Sequence, residues 1–148
     1  MEMTFCIDEI SDIIKQQFKN LLQEYSIFIF KGQLGAGKTT MIKEILLSCG
    51  VKQVVTSPTF NYVNSYKNAQ NQIFNHFDLY RITSEGQFFD LGFDEYFYRK
   101  NEWCFIEWPE IIEHLLKDPD LCKRVCVVEL EHVSDDEFKR YLRVNSLV

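Results

Sequence analysis

No Cys-x-x-Cys pair occurs among the five cysteines of this chain, and an odd count leaves at least one thiol without a partner. Cys6, Cys49, Cys104, Cys122 and Cys126 fall mostly in apolar segments, which reads as buried free thiols rather than a zinc site or a disulfide framework. The three histidines, His76, His114 and His132, are scattered and offer no metal-ligand spacing. Basic residues are outnumbered: 16 Lys and Arg stand against 22 Asp and Glu, giving a net charge of −6. That balance argues against a wide grip on nucleic acid, which needs clustered cations facing phosphates, although a local basic patch is compatible with it. Apolar runs fall far short of the ~20 residues that span a bilayer, and no leader peptide is read at the start, so a cytoplasmic location without membrane attachment is the expectation. Repeats, low-complexity stretches and long linkers are missing too. Hydrophobic residues make up 46% and aromatics 15% of 148 residues, which argues against disorder and for a single domain spanning 1–148 with one core.

Helix and strand signals alternate along the chain. A short strand is expected at Met3–Ile7. A helical stripe follows through Ile10, Ile13, Ile14, Phe18, Leu21, Leu22 and Tyr25, with Asp8 as N-cap. Ser26–Phe30 reads as a buried strand. A second helical stripe runs through Met41, Ile42, Ile45, Leu46 and Cys49, with Gly50 as its stop. Val54–Val55 is a short strand candidate. Tyr62–Tyr66 and Ile73–Phe77 read as two strands joined by a polar turn. A short helix is expected at 84–90 with Ser84 as cap, then a strand at Cys104–Ile106 ending in Glu107. Pro109 suits the first turn of a helix carrying Ile111, Ile112, Leu115 and Leu116. Val125–Leu130 and Tyr141–Val144 are late strands, separated by an acidic turn or short helix. The expected fold is α/β: a mixed, mostly parallel central sheet with helices on both faces, a three-layer sandwich.

Between the second strand and second helix lies "GQLGAGKT", in which Gly32, Gly37, Lys38 and Thr39 satisfy G-x-x-x-x-G-K-[ST]. The glycines, Gly35 among them, let the backbone turn so that several N–H groups face one anion. The helix beginning near Lys38 adds its positive end. Lys38 supplies a mobile cation for the β- and γ-phosphates, and the Thr39 hydroxyl suits magnesium. Magnesium also needs an acid across the sheet. Two carboxylates end apolar runs, Glu107 after "CFI" and Asp78 after "IFNHF", and at least one of them should serve the metal or orient an attacking water.

Neither N-K-x-D nor D-x-x-G after a strand is present, which counts against a GTPase. Arg81 and Arg99 are available, but no arginine-rich lid marks a small-molecule kinase, and motor or transporter ATPases are larger with further signature loops. The blocks "GQLGAGKTT", "SPTF" at 57–60, "HFDLYR" at 76–81, "LGFDEY" at 91–96 and "IEWPE" at 106–110 resemble, in order and spacing, the TsaE family (also called YjeE), small bacterial P-loop ATPases. The resemblance covers about Phe30 to Glu110. It implies an ATPase that works with TsaB and TsaD in making threonylcarbamoyladenosine in tRNA. ATP hydrolysis there supports repeated turnover, and tRNA is met through the partners. It further implies that Gly35, Ala36, Gly37, Lys38, Thr39 and Thr40 wrap the phosphates of ATP or ADP, and that Thr39 and Glu107 hold Mg2+. Asp78 is then a second acid, Thr59 belongs to a switch-like loop sensing the γ-phosphate, and Trp108 sits close to the nucleotide. The element around Asp8 to Ser11 borders the adenine, and Arg140 aligns with a late basic residue near the nucleotide. Readings from other classes are a nucleotide-dependent binding module with incidental hydrolysis and a small-molecule kinase. Gln33 departs from the family, which commonly carries Asp there. The aromatic group Phe88, Phe89, Phe93, Tyr96, Phe97 and Tyr98 reads first as core and second as a partner surface.

Overall fold

A computed structural model describes residues 1–148. Its frame is one seven-stranded sheet in the order β1-β7-β6-β2-β5-β4-β3. The strands are β1 (Glu2–Cys6), β2 (Ile27–Lys31), β3 (Val63–Lys67), β4 (Ile73–Asp78), β5 (Glu102–Glu107), β6 (Val125–Val133) and β7 (Asp136–Ser146). β2 pairs in parallel with β5 and β6, and β5 in parallel with β4. The pairings β1–β7, β6–β7 and β3–β4 are antiparallel. The parallel part is therefore confined to four central strands, with antiparallel hairpins closing both sides.

β2 shows why the centre is parallel. Its sequence IFIFK is apolar at each of the first four positions, so both faces need cover. Phe28 and Phe30 point to the layer formed by α1 (Ile10–Ile13), α2 (Lys19–Glu24) and α3 (Lys38–Ser48), meeting Phe18, Met41, Ile45 and Phe105. The Phe28 and Phe105 rings stack at 5.2 Å, a pairing that adds about 0.5–1.5 kcal/mol to simple area burial. Ile27 and Ile29 point the other way, to Phe88 on α4 (Glu85–Asp90), Phe97, Ile112 and Leu116. The aromatic group after α4 is thus mainly core. Phe88, Phe93 and Phe97 are buried, whereas Phe89 and Tyr98 are exposed. All five cysteines are free thiols, but Cys104 and Cys126 alone are buried; Cys6, Cys49 and Cys122 are half-buried, against the expectation. Burial pushes Cys104 and Cys126 up to about 12, so both stay protonated and unreactive at neutral pH.

Several local expectations are corrected. The first helical stripe is not one α-helix, because a π-turn at Ile14–Phe18 separates α1 from α2. Asp8 does not cap it. Residues Ile7–Glu9 form a 3₁₀ turn in which the Glu9 carboxylate accepts the Cys6 N–H at 2.7 Å. Val54–Val55 is not a strand: Val54 is 85% exposed, and the segment is tied down instead by Tyr66, whose hydroxyl meets the Thr56 N–H and C=O at 3.1 and 3.2 Å. After Pro109 the chain makes separate 3₁₀ turns, Pro109–Ile112 and Leu115–Lys117, rather than one α-helix. The acidic stretch at 134–137 is the turn of the β6–β7 hairpin and the start of β7. Ser84 does cap α4, accepting the Gln87 N–H.

Candidate functional site

The carboxyl ends of β2, β5 and β4 lie side by side, and each carries a motif residue. Register places Glu107 opposite Phe30 on one side and opposite Asp78 on the other. β2 has parallel neighbours on both sides, so its carboxyl end is where an open α/β sheet places a ligand crevice. Gly32–Gly37 fills the step from β2 to α3. Gly32, at φ 145°, lies so close to β6 that a Cβ would stand 2.3 Å from the Leu130 carbonyl oxygen. Gly37, at φ 105°, turns the chain into the first residue of α3, an 11-residue helix whose N-terminus opens on the cleft. Arg140, buried on β7, holds the loop from behind. Its Nε donates to the Ala36 carbonyl at 3.1 Å, and its Nη1 to the carbonyls of Glu137 and Lys139. Arg140 thus braces the loop rather than lining the cleft.

The cleft has a volume of about 290 Å³ and is lined by Gly35, Gly37, Lys38, Thr39 and Thr40 facing Ser57, Asp78, Glu107 and Trp108. Lys38 Nζ donates to the carbonyls of Gly32 and Gln33 at 2.7 and 3.0 Å and lies 3.9 Å from the centre of the Trp108 ring. Burial lowers the Lys38 ammonium below its ordinary value, while Glu107, Glu110 and Asp78 oppose that shift. Trp108 reaches this position because its backbone is left-handed, φ 58°, immediately before Pro109. Thr39 Oγ1 donates to Glu107 Oε1 at 2.7 Å and lies 3.0 Å from Oε2. His76 Nε2 is 2.7 Å from the same Oε1.

Asp78 Oδ1 accepts the Tyr80 N–H at 3.0 Å, and the Ser57 hydroxyl donates to Oδ2 at 3.5 Å. Burial raises its carboxyl above the ordinary Asp value, and the Glu107 charge adds to that, against the lowering effect of the Tyr80 N–H. A folded-state value raised above the unfolded one means that ionising Asp78 opposes folding. The penalty is absent at low pH, sets in above the unfolded value and is complete once pH has passed the folded value. Asp78→Asn is therefore expected to melt higher than the wild type near neutral pH, with an advantage that shrinks as pH falls toward the carboxylate range. Thermal melts across pH check this, and a variant less stable than the wild type at neutral pH contradicts it.

Thr59 is outside this cleft. It is exposed, with its hydroxyl on the Ser57 carbonyl at 3.4 Å, and lines an adjoining hollow of about 130 Å³ that shares Leu34, Asp78 and Trp108 with the cleft and adds Tyr80 and Arg81. Asp8 is exposed and does not line the cleft either. Two participants escaped the reading of the sequence. Ser57 opens "SPTF" yet is the residue of that block that meets Asp78. His76 opens "HFDLYR", two positions before Asp78 and hence on the same face of β4. A larger cavity of about 670 Å³, between Ile14, Lys19, Cys49, Phe74 and Trp103, brings none of the motif residues together.

The donor set fits magnesium. A hydroxyl and one or two carboxylates are hard oxygen ligands, and Mg2+ uses few protein ligands beside phosphate and water. No cluster of three or more His, Cys, Asp or Glu suited to a protein-only metal cage occurs.

A family model described as threonylcarbamoyl adenosine biosynthesis protein TsaE matches residues 8–141. The chain belongs to the TsaE family. It is 37% identical over 126 residues to the tRNA threonylcarbamoyladenosine biosynthesis protein TsaE of Rickettsia conorii, covering 78% of this chain and 70% of that protein. Against the protein of the same name from Bacillus subtilis the figures are 35% over 111 residues, 75% and 65%. A crystal structure of Bacillus subtilis YdiB has the same fold, with a TM-score of 0.69 at 22% identity, over 100% of this chain and 87% of that one. TsaE membership places the chain in tRNA threonylcarbamoyladenosine biosynthesis, and no helix is long and apolar enough to cross a membrane.

Proposed function

We propose that this TsaE-family chain binds ATP with Mg2+ in the cleft, hydrolyses it to ADP and phosphate, and acts with TsaB and TsaD so that tRNA threonylcarbamoyladenosine formation runs through repeated rounds. The observation that carries this reading is the Thr39 hydroxyl on the Glu107 carboxylate at the mouth of a glycine loop. The backbone N–H groups from Gly35 to Thr40 and the α3 N-terminus bind phosphate oxygens. Lys38 exchanges its loop carbonyl partners for the β- and γ-phosphates. Thr39 and Glu107 would hold Mg2+, which would supply positive charge to neutralise the phosphates. Asp78, one strand further out, orients the attacking water with the help of Ser57.

Lys38 is the one basic residue in the cleft lining. Arg81 stands in the next hollow, its guanidinium carbon 5.6 Å from the centre of the Phe60 ring. The isolated chain thus brings one side-chain cation to the lining of the cleft itself, which predicts slow hydrolysis alone and faster hydrolysis when partners dock. The charge of −6 suits a subunit that leaves tRNA contact to its partners. Hydrolysis measured with and without TsaB and TsaD tests this: stimulation supports the reading, and phosphorylation of a metabolite in their absence overturns it.

Gln33 lines a hollow of about 440 Å³ with Glu110, Glu131 and His132, beside the loop carbonyl it offers Lys38. Gln33→Asp adds a third carboxylate there. The expected result is retained hydrolysis and an ADP affinity weakened by about twofold at low salt, the size of one solvent-screened charge near phosphate. A large gain in turnover contradicts this.

A further inference from the structure

His76 is the most deeply buried titratable group around the cleft, 0% exposed, and it lines none of the cleft's surface. On β4 it stands in register with Asn64 of β3 and Phe105 of β5, on the same sheet face as Phe74 and Asp78. Its polar contact is with Glu107: Nε2 to Oε1 at 2.7 Å. Nδ1 is buried and has no hydrogen-bond partner. A proton on Nδ1 would be an unpaired buried donor, whereas a proton on Nε2 bridges directly to the carboxylate. The arrangement therefore assigns the Nε2–H tautomer, with Nε2 donating.

Glu107 needs that donor. It is itself buried, 3% exposed, so solvent does not satisfy it. Thr39 contacts both of its oxygens, at 2.7 and 3.0 Å, but a hydroxyl carries one proton and serves one oxygen at a time. His76 is the second, fixed donor. It is rigid where Thr39 rotates, and it approaches from the neighbouring strand, locking the carboxylate plane between β4 and α3. We infer that His76 is a positioning residue: it holds Glu107 oriented toward the magnesium position without itself touching metal or nucleotide. The inference rests on the magnesium-nucleotide reading of the cleft. Hydrogen-bond partners of metal-binding carboxylates fix ligand orientation, and their loss typically weakens metal binding by about 10–100-fold.

The test uses the full chain with ADP and Mn2+, the latter read by electron paramagnetic resonance, and compares the wild type with His76→Leu and His76→Gln. His76→Leu keeps volume and removes the donor, while His76→Gln restores an amide N–H toward Glu107. The expected result for His76→Leu is a loss of Mn2+ affinity of about 10–100-fold with metal-free ADP affinity held within about twofold, and for His76→Gln recovery of most of that loss. Should His76→Leu fail to fold, His76→Asn replaces it, since its amide is one methylene too short to reach Glu107. Metal-free and metal-bound ADP affinity falling together would mark ordinary core damage and overturn the inference. So would Mn2+ affinity unchanged in every variant while the wild type binds Mn2+ with ADP. A wild type that binds no Mn2+ at all overturns the magnesium reading itself, and the inference with it.

Discussion

Lys38→Ala is expected to lower ATP hydrolysis by about 100–1,000-fold, the range seen when one preorganised donor to transition-state charge is removed. The size of the effect follows from the surroundings. Lys38 is the single cation in the cleft lining, and it is buried, so no solvent ion substitutes for it at the same position. The acids Glu107, Glu110 and Asp78 all act on it, which means that deleting it leaves an acidic cleft facing an anionic ligand. ADP binding therefore weakens as well as hydrolysis. Trp108, now under the ammonium at 3.9 Å, loses that cation, and its fluorescence reports the change without any ligand. A variant that hydrolyses ATP within tenfold of the wild type would contradict the role given to Lys38.

Glu107→Gln separates binding from hydrolysis. The amide keeps a hydrogen-bond acceptor for Thr39 but carries no charge to hold magnesium, so hydrolysis is expected to fall by about 100-fold. ADP affinity without metal should hold or improve, since a negative charge beside the phosphates is gone. Magnesium should then strengthen ADP binding in the wild type and no longer do so in Glu107→Gln, as calorimetry with and without the metal would show. Equal losses in metal-free and metal-bound affinity would instead mean that Glu107 supports the loop structurally through Thr39 and His76.

The contrast between Lys38 and Glu107 also shows what a sequence discloses. Gly32 to Thr39 is local: eight consecutive residues between an apolar strand and an amphipathic helix define the loop, and the fold placed it where the spacing said. Glu107 and Asp78 both read as acids ending strands, and spacing alone does not rank them; the family resemblance sets Glu107 on the metal and Asp78 second. Sheet order shows why. β5 is the direct neighbour of β2, so Glu107 reaches Thr39, while β4 sets Asp78 one strand away beside Ser57. His76 was quoted within its block, but its tie to Glu107 spans 31 residues and appears only once β4 and β5 pair. Arg140 shows the reverse case: the resemblance sets it near the nucleotide, yet its guanidinium faces main-chain carbonyls. The helical stripe also overran at the π-turn of Ile14–Phe18, and the paired valines at 54 and 55 form no strand, Val54 being exposed.

The central claim is that nucleotide hydrolysis in this cleft drives repeated modification of tRNA with TsaB and TsaD. Counting modified tRNA per TsaD in a reconstitution with ATP and magnesium tests it most directly, with wild type set against Lys38→Ala. The wild type should continue through many rounds and the variant should stop at the first. Equal numbers of rounds with both proteins would contradict the account.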